Sequence, residues 1–409
     1  MIKAWDADGH IYEHAGTFSD QYWPNDALKS RRPEIVTSPR SEMMWFVIDD
    51  RLFPKRVGPF VQAGGNPASD GVNLAIGQQN KPFDPVETAE FRSAKDRLVQ
   101  LDKEGIELQV NYPTMLLSHP LSHDPALGLA IAQSYNNWIS DISAQAPDRL
   151  KWVTMVEPLL PKESAKEIAR SKDMGSVGVM LLGTVGNTHI DAPAMEPIWA
   201  AAAEANLPVA LHVGFSNPAL GEMYPHPGDS LCMPFAMSLL MGYQRVFASG
   251  LLDRYPNLRV AFLEAGCDWV HFLNERIEEY SGKEGTRLAN PMTGGAGRGA
   301  ASAAPSTAAV SILHSWYKSE GLPGDYIRDG RVFFGAEPDE EQMPHFTELY
   351  GEDCLIYASD IPHADRLVNA AELVLTRDDM SDQLKKKYLV DNVARFYGLP
   401  VPAESTPAG

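Results

Sequence analysis

The sequence predicts a (β/α)8 TIM barrel, an α/β fold. Short apolar runs rich in β-branched residues alternate with longer amphipathic stretches across the 409 residues, and about eight such units fit. That alternation means parallel strands joined by crossover helices, and eight units suit a closed barrel better than an open sheet. No Gly-x-Gly-x-x-Gly follows the first run, so nothing favours an open dinucleotide-binding sheet.

Strands are expected at 3–10, 106–112, 150–156, 177–182, 208–213, 258–264, 332–336 and 354–359. Helices are expected at 87–103, 125–146, 161–173, 194–205, 233–254, 268–280, 340–349, 367–375 and 381–397. Two stretches interrupt the alternation. Residues 14–83, after the first strand, are rich in Pro, Asn, Asp and aromatics and read as a long strand-to-helix loop, where covers sit in barrels. Residues 282–330, before the seventh strand, hold a Gly/Ala/Ser/Pro tract over 294–309. Its Gly run follows no strand and lacks the Gly-Lys-Ser/Thr ending of a phosphate loop, so it reads as flexible chain. The expectation is one barrel domain over 1–399 and a flexible tail over 400–409.

Apolar residues make up 44% and charged residues 22%, an ordinary globular composition. The net charge of −19 comes with no basic run, which argues against nucleic acid and against anionic lipid. No apolar stretch is long enough to predict a membrane span. A small-molecule substrate fits best. Cys232, Cys267 and Cys354 are scattered with no Cys-x-x-Cys pair, so they read as buried free thiols. With no signal-peptide pattern at the N-terminus, the expected location is the cytoplasm.

In such a barrel the C-terminal ends of the strands converge on one mouth, so polar residues that close apolar strands are the ones to weigh. The first strand ends Asp6-Ala7-Asp8-Gly9-His10, and positions two apart face one side, so Asp8 and His10 can grip one ion. The fifth ends at His212, the sixth at Glu264, and the eighth runs into Asp360-Ile361-Pro362-His363. Each has a plain structural counterpart: a lone histidine is often a core residue, and a strand-end aspartate often caps the next helix. Their shared position at strand ends favours a common cation, because buried carboxylates are costly unless paired.

These motifs, with Gln-Ser-Tyr-Asn-Asn-Trp at 133–138 and Ala-Pro-Asp-Arg-Leu at 146–150, make the chain similar to the amidohydrolase superfamily. Within it the resemblance is to the branch containing aminocarboxymuconate-semialdehyde decarboxylase and the resorcylate and carboxyvanillate decarboxylases. The resemblance implies metal ligation by Asp8, His10, His212 and Asp360, with zinc or manganese as the usual ion, and a homodimer. Two positions depart from many relatives. Asp8 stands where they carry a histidine, which moves the choice toward manganese or iron. Glu264 stands where they carry a catalytic histidine. It is expected to act as acid/base against an apolar wall of Phe262 and Trp269, or as a ligand to a second ion together with Glu13 and His363.

Three reactions use these parts. Decarboxylation of a small, aromatic carboxylic acid would take its proton from Asp360, helped by Glu264 or His363. Metal-assisted hydrolysis would use Asp360 to deprotonate a bound water. The alternative from another class is a dinuclear non-haem iron monooxygenase. Substrate contacts are expected from Trp45 and Arg51 in the first long loop and from Tyr112 at the end of the second strand.

Overall fold

The computed structural model describes residues 2–37, 43–53, 66, 67, 91, 93–224, 229, 231–283, 315–363 and 366–401. Eight apolar runs become eight strands: β1 (Ala4–Ile11), β2 (Ile106–Pro113), β3 (Leu150–Thr154), β4 (Gly178–Leu182), β5 (Val209–His212), β6 (Val260–Leu263), β7 (Val332–Ala336) and β8 (Leu355–Tyr357). They pair in chain order and in parallel. Buried on both faces, such strands carry continuous apolar sequence, which is why the runs are visible in the chain. The ring closes where the segment after β8 meets β1. There Asp360 N donates to the Asp8 carbonyl at 3.0 Å and His10 N donates to the Ile361 carbonyl at 2.6 Å.

Crossover helices form the outer layer: α1 (Ala94–Lys103), α2 (Pro125–Ser143), α3 (Pro161–Asp173), α4 (Glu196–Glu204), α5 (Ala236–Ala248), α6 (Asp268–Ser281), α7 (Met343–Tyr350) and α8 (Asn392–Tyr397). The start of α2 shows how the sequence sets a boundary. Asp124 caps the Ala126 amide at 3.0 Å, and Pro125 occupies the first turn, where its missing N–H costs nothing. Two expected helices are split. The one over 233–254 breaks at Gly250, whose φ of +70° no right-handed helix accepts, so Leu251–Arg254 is a separate turn. The one over 381–397 opens into a wide turn at Lys387–Asp391 between Asp382–Lys386 and α8. Of the helix expected over 87–103, residues 87–90 and 92 lie outside the described residues.

The stretch 14–83 is more than a loop. Met43–Ile48 pairs antiparallel with Glu34–Thr37, with Arg51–Phe53 and with Asn66–Pro67. Asp49 and Asp50, with φ of 53° and 57°, make the two-residue turn that suits the twist of such a hairpin. The hairpin sits on the barrel. Phe46 packs edge-on to Phe18 at 5.4 Å, and Asp49 accepts from Arg31 and from Ser122 in the β2–α2 loop. The tract 294–309 and the tail beyond Val401 lie outside the described residues. Cys267 and Cys354 are buried, but Cys232 is exposed, in the wide turn Leu231–Phe235 that precedes α5. No helix among the described residues is long and apolar enough to cross a membrane.

One buried carboxyl tests this packing. Glu157, just past β3, lies over Gly128 of α2, where an added Cβ would come within 2.1 Å of its Oε2. Oε1 accepts from Leu159 N at 3.1 Å, whereas Oε2 has no hydrogen-bond partner among the described residues. Burial pushes this carboxyl up to about 7 from 4.5. The folded state therefore holds its proton more tightly than the unfolded chain. Its contribution to stability is full below pH 4.5 and is lost as pH rises through about 7. Denaturant titrations at pH 5 and pH 8 should show Glu157→Gln losing less stability than the wild type between those values, by on the order of 3 kcal/mol. Equal losses in both proteins would show that Glu157 is not ionised against burial.

Candidate metal centre

All eight residues of β1 are buried, including Asp6, Asp8 and His10, so the strand carries its polar groups inside the barrel. Gly9 separates Asp8 from His10 for a steric reason: a Cβ there would meet Gln109 Nε2 at 2.2 Å. Gln109 occupies that space because Nε2 donates to Asp6 Oδ2 at 2.7 Å.

Two imidazoles face each other across the mouth. His10 Nδ1 lies 2.9 Å from the Pro113 carbonyl, and His212 Nδ1 lies 2.8 Å from the Val213 carbonyl. A carbonyl can only accept, so both Nδ1 atoms carry protons and each Nε2 faces the cavity. Backbone carbonyls of this kind commonly fix the tautomer of metal-binding histidines. His10 Nε2 lies 3.4 Å from Asp8 Oδ1, and His212 Nε2 lies 3.4 Å from Asp8 Oδ2. Asp8 Oδ1, His10 Nε2 and His212 Nε2 are buried with no hydrogen-bond partner among the described residues. Three orphaned donor atoms in one place fit a cation.

The electrostatics agree. Burial alone would raise the Asp8 carboxyl, but the positive charge of the neighbouring His212 holds it well below its ordinary value. Burial alone would lower His212, but Asp8 and Glu264 overcome that and raise it. The space between these carboxylates thus attracts positive charge. Burial and the neighbouring His363 push His10 down to about 3, so its ring stays neutral.

The other strand ends supply a second cluster. One donor atom each from His10, Glu264, Asp360 and His363 fall within 4.8 Å of one another, as do one each from Asp8, His10 and His212. Glu264 Oε2 lies 3.1 Å from His212 Nε2, Asp360 Oδ1 lies 3.4 Å from His10 Nε2, and His363 Nδ1 lies 2.6 Å from Asp360 Oδ1. Glu264 and Asp360 adopt φ of 64° and 54°, a left-handed conformation uncommon for residues other than glycine. For Glu264 the reason is visible. Strand alternation would send it the way of Phe262, whose ring packs with Tyr243 of α5 and Trp269 of α6. The left-handed turn instead brings its carboxylate to His212. Phe262 and Trp269 therefore pack together under the helix layer, against Tyr243 of α5.

Other expected residues go elsewhere. Glu13 does not join the cluster: its carboxylate accepts from the amides of Thr114, Met115 and Leu116 at 3.3, 2.9 and 3.2 Å. The buried Tyr112 hydroxyl is 2.6 Å from that of Tyr397, which donates to the Ala7 carbonyl, so Tyr112 braces the barrel interior. Trp45 and Arg51 lie on the hairpin strands, and their side chains fall outside the described residues. Sequence reasoning passed over two residues. Asp6 lies two residues before Asp8 on the same buried strand, and that spacing is its signal in the sequence. Thr114, which meets His363 Nε2 at 3.0 Å, carries no sequence signal.

Comparison with known proteins follows the same line. The family profile described as Amidohydrolase matches residues 123–399. Decarboxylase orsB of Emericella nidulans is 26% identical over 207 residues, 48% of this chain and 60% of that relative's length. An amidohydrolase of Mycobacterium avium subsp. paratuberculosis superposes with a TM-score of 0.72 at 18% identity, covering 98% of this chain and 99% of that one. A 5-carboxyvanillate decarboxylase of Novosphingobium aromaticivorans, solved with bound manganese, gives 0.58 at 18% identity, covering 80% and 93%. At these identities the structural likeness shows the barrel fold.

A divalent ion seated here should stabilise the fold by mass action, by ~2.7 kcal/mol at a hundredfold excess over Kd. Adding Mn²⁺ to metal-free protein is expected to raise Tm by a few degrees, and Asp8→Asn combined with His212→Ala to abolish the shift. An undiminished shift in that double variant would place the ion elsewhere.

Proposed function

Because this chain belongs to the Amidohydrolase family, we propose that it is a metal-dependent lyase that removes CO2 from a small aromatic carboxylic acid without net oxidation. The observation that carries this is the pair of buried, outward-bonded imidazoles of His10 and His212 aimed with Asp8 at one point, beside the Asp360–His363 pair. The relatives support the reaction class: one is a decarboxylase, and a structural neighbour is a carboxyvanillate decarboxylase with manganese.

Asp8, His10, His212 and Asp360 would hold one divalent ion, manganese by preference, since two carboxylates make the donor set hard. When bound, such an ion supplies positive charge that anchors a carboxylate and an adjacent hydroxyl. The residues of the chain do the rest. A proton carried on the Asp360–His363 pair passes to the ring carbon that bears the carboxylate. The bond to the carboxyl carbon then breaks, its electron pair returns to the ring, and CO2 leaves. Thr114 restrains His363 from the side opposite Asp360, so that the pair stays aligned. Glu264 assists as a second acid/base beside His212. Trp45 and Arg51 are assigned to substrate contact within the same proposal, and Tyr112 is not. The homodimer is also part of it, and light scattering should return twice the mass of one chain.

The reaction is tested by incubating the manganese-loaded protein with a panel of ortho-hydroxybenzoates in D2O. CO2 should be released, and each product should carry one deuteron at the vacated ring carbon. Turnover without CO2, as in hydrolysis, would overturn the lyase assignment. Glu264→Gln is expected to lower the rate by two or more orders of magnitude, in the range of general acid–base effects, with Tm nearly unchanged. An active variant would make Glu264 a bystander. Elemental analysis should find one divalent ion per chain. Two would assign Glu264 and His363 to coordination beside Asp360 and remove them from proton transfer.

A further inference from the structure

Glu264 reaches His212 only because the segment Glu264-Ala265-Gly266-Cys267 folds as a tight turn with two left-handed residues, Glu264 at φ 64° and Gly266 at φ 66°. For glutamate such a conformation is disfavoured, so the surroundings must hold it. The structure shows one external carboxylate that does so. Glu340, in the loop between β7 and α7, places Oε2 3.0 Å from Cys267 N and 3.0 Å from Cys267 Sγ. Its Oε1 accepts from Glu337 N at 2.7 Å, which ties the clamp to its own loop. Burial and the nearby Glu340 push the Cys267 thiol far up, so it stays protonated and donates.

Two details show that the turn is built around this clamp. A Cβ on Gly266 would come within 2.4 Å of Glu340 Oε1, so glycine is needed there for close approach as well as for its φ. Cys267 is also the N-cap of α6, and no side chain of its own segment caps that end. The carboxylate of Glu340 therefore answers an open amide and the positive end of the helix dipole together. On the other side of the turn, Trp269 Nε1 donates to the Gly266 carbonyl at 3.0 Å.

We propose that Glu340 is a positioning residue: acting through Cys267, it fixes the turn that holds Glu264 against His212 and thereby sets the ligand field of the ion. This rests on the metal site proposed above. Glu340 touches neither ion nor substrate. The chemistry it controls is the placement of a carboxylate 3.1 Å from a ligating imidazole. Supporting contacts of this kind typically change metal affinity by roughly tenfold to a hundredfold.

The test uses Co²⁺ as a spectroscopic probe in the full-length protein, because its visible absorption responds to the number and geometry of ligands. Glu340→Gln puts an N–H group where a carboxylate oxygen accepted. It is expected to shift the Co²⁺ bands in the same direction as Glu264→Gln and to weaken Co²⁺ binding by roughly tenfold or more, with Tm close to that of the wild type. Cys267→Ala removes one of the two donors and should give a smaller shift, while Cys267→Ser, which restores a donor, should return the wild-type bands. These variants keep the proposal testable should Glu340→Gln fold poorly. Wild-type bands and affinity in both Glu340→Gln and Cys267→Ala, with altered bands in Glu264→Gln, would overturn the proposal and leave the metal site intact. A wild-type protein that takes up no Co²⁺ would overturn the metal site and this role with it.

Discussion

Asp6 is the interaction on which the rest of the site depends. It is fully buried, yet each of its two oxygens accepts two hydrogen bonds. Oδ1 accepts from Ser359 N at 2.9 Å and from Asp8 N at 3.2 Å, while Oδ2 accepts from the Ser359 hydroxyl and from Gln109. Gln109 is held in turn by the buried Arg97 of α1 at 2.7 Å. One carboxylate thus joins the first strand, the second strand and the end of the eighth. Burial raises its carboxyl to about 6, which measures how strongly the interior resists the charge that these four bonds must satisfy. Beside the backbone bonds from Asp360 N to the Asp8 carbonyl and from His10 N to the Ile361 carbonyl, that staple holds the segment after β8 against β1.

Around this fixed point the mouth concentrates charge that the fold alone would not tolerate. Asp8, Glu264 and Asp360 converge within a few bonds of His10, His212 and His363. Two of the three carboxylates sit on left-handed backbone, where strain is held by the surrounding bonds. Buried like charges and strained backbone are both unfavourable for stability, and their coincidence at one end of the barrel marks a place shaped for chemistry.

The barrel was legible in the chain because strands buried on both faces must be apolar throughout, so the interruptions at Asp8, His10 and His212 stood out. The helix breaks were less legible. Gly250 sits inside an otherwise helical pattern and reveals its left-handed φ only when the next strand must be reached. The hairpin over 43–53 was missed because its turn is Asp49-Asp50, without the glycine that usually announces a two-residue turn. Glu13 and Tyr112 carry residue types that suit catalysis, but whether such a group meets a ligand or a backbone amide depends on loops from distant strands. Glu264 was placed at the mouth by its strand-end position, although alternation from Phe262 points it outward. Only the left-handed turn reconciles the two.

The seam of the barrel has a consequence for how the protein matures. Asp6 and Ser359 are 353 residues apart, and the bonds that join them also seal the ring and set Asp360 beside His10. During synthesis the first strand leaves the ribosome long before its partner exists. The nascent chain therefore carries two of the four proposed ligands, Asp8 and His10, until His212 emerges near mid-chain, and lacks the fourth, Asp360, until the last strand. Under the proposed ligand set the site is complete only when the last strand arrives, so a chain truncated before β8 would lack both the Asp360 ligand and the seam that sets it beside His10.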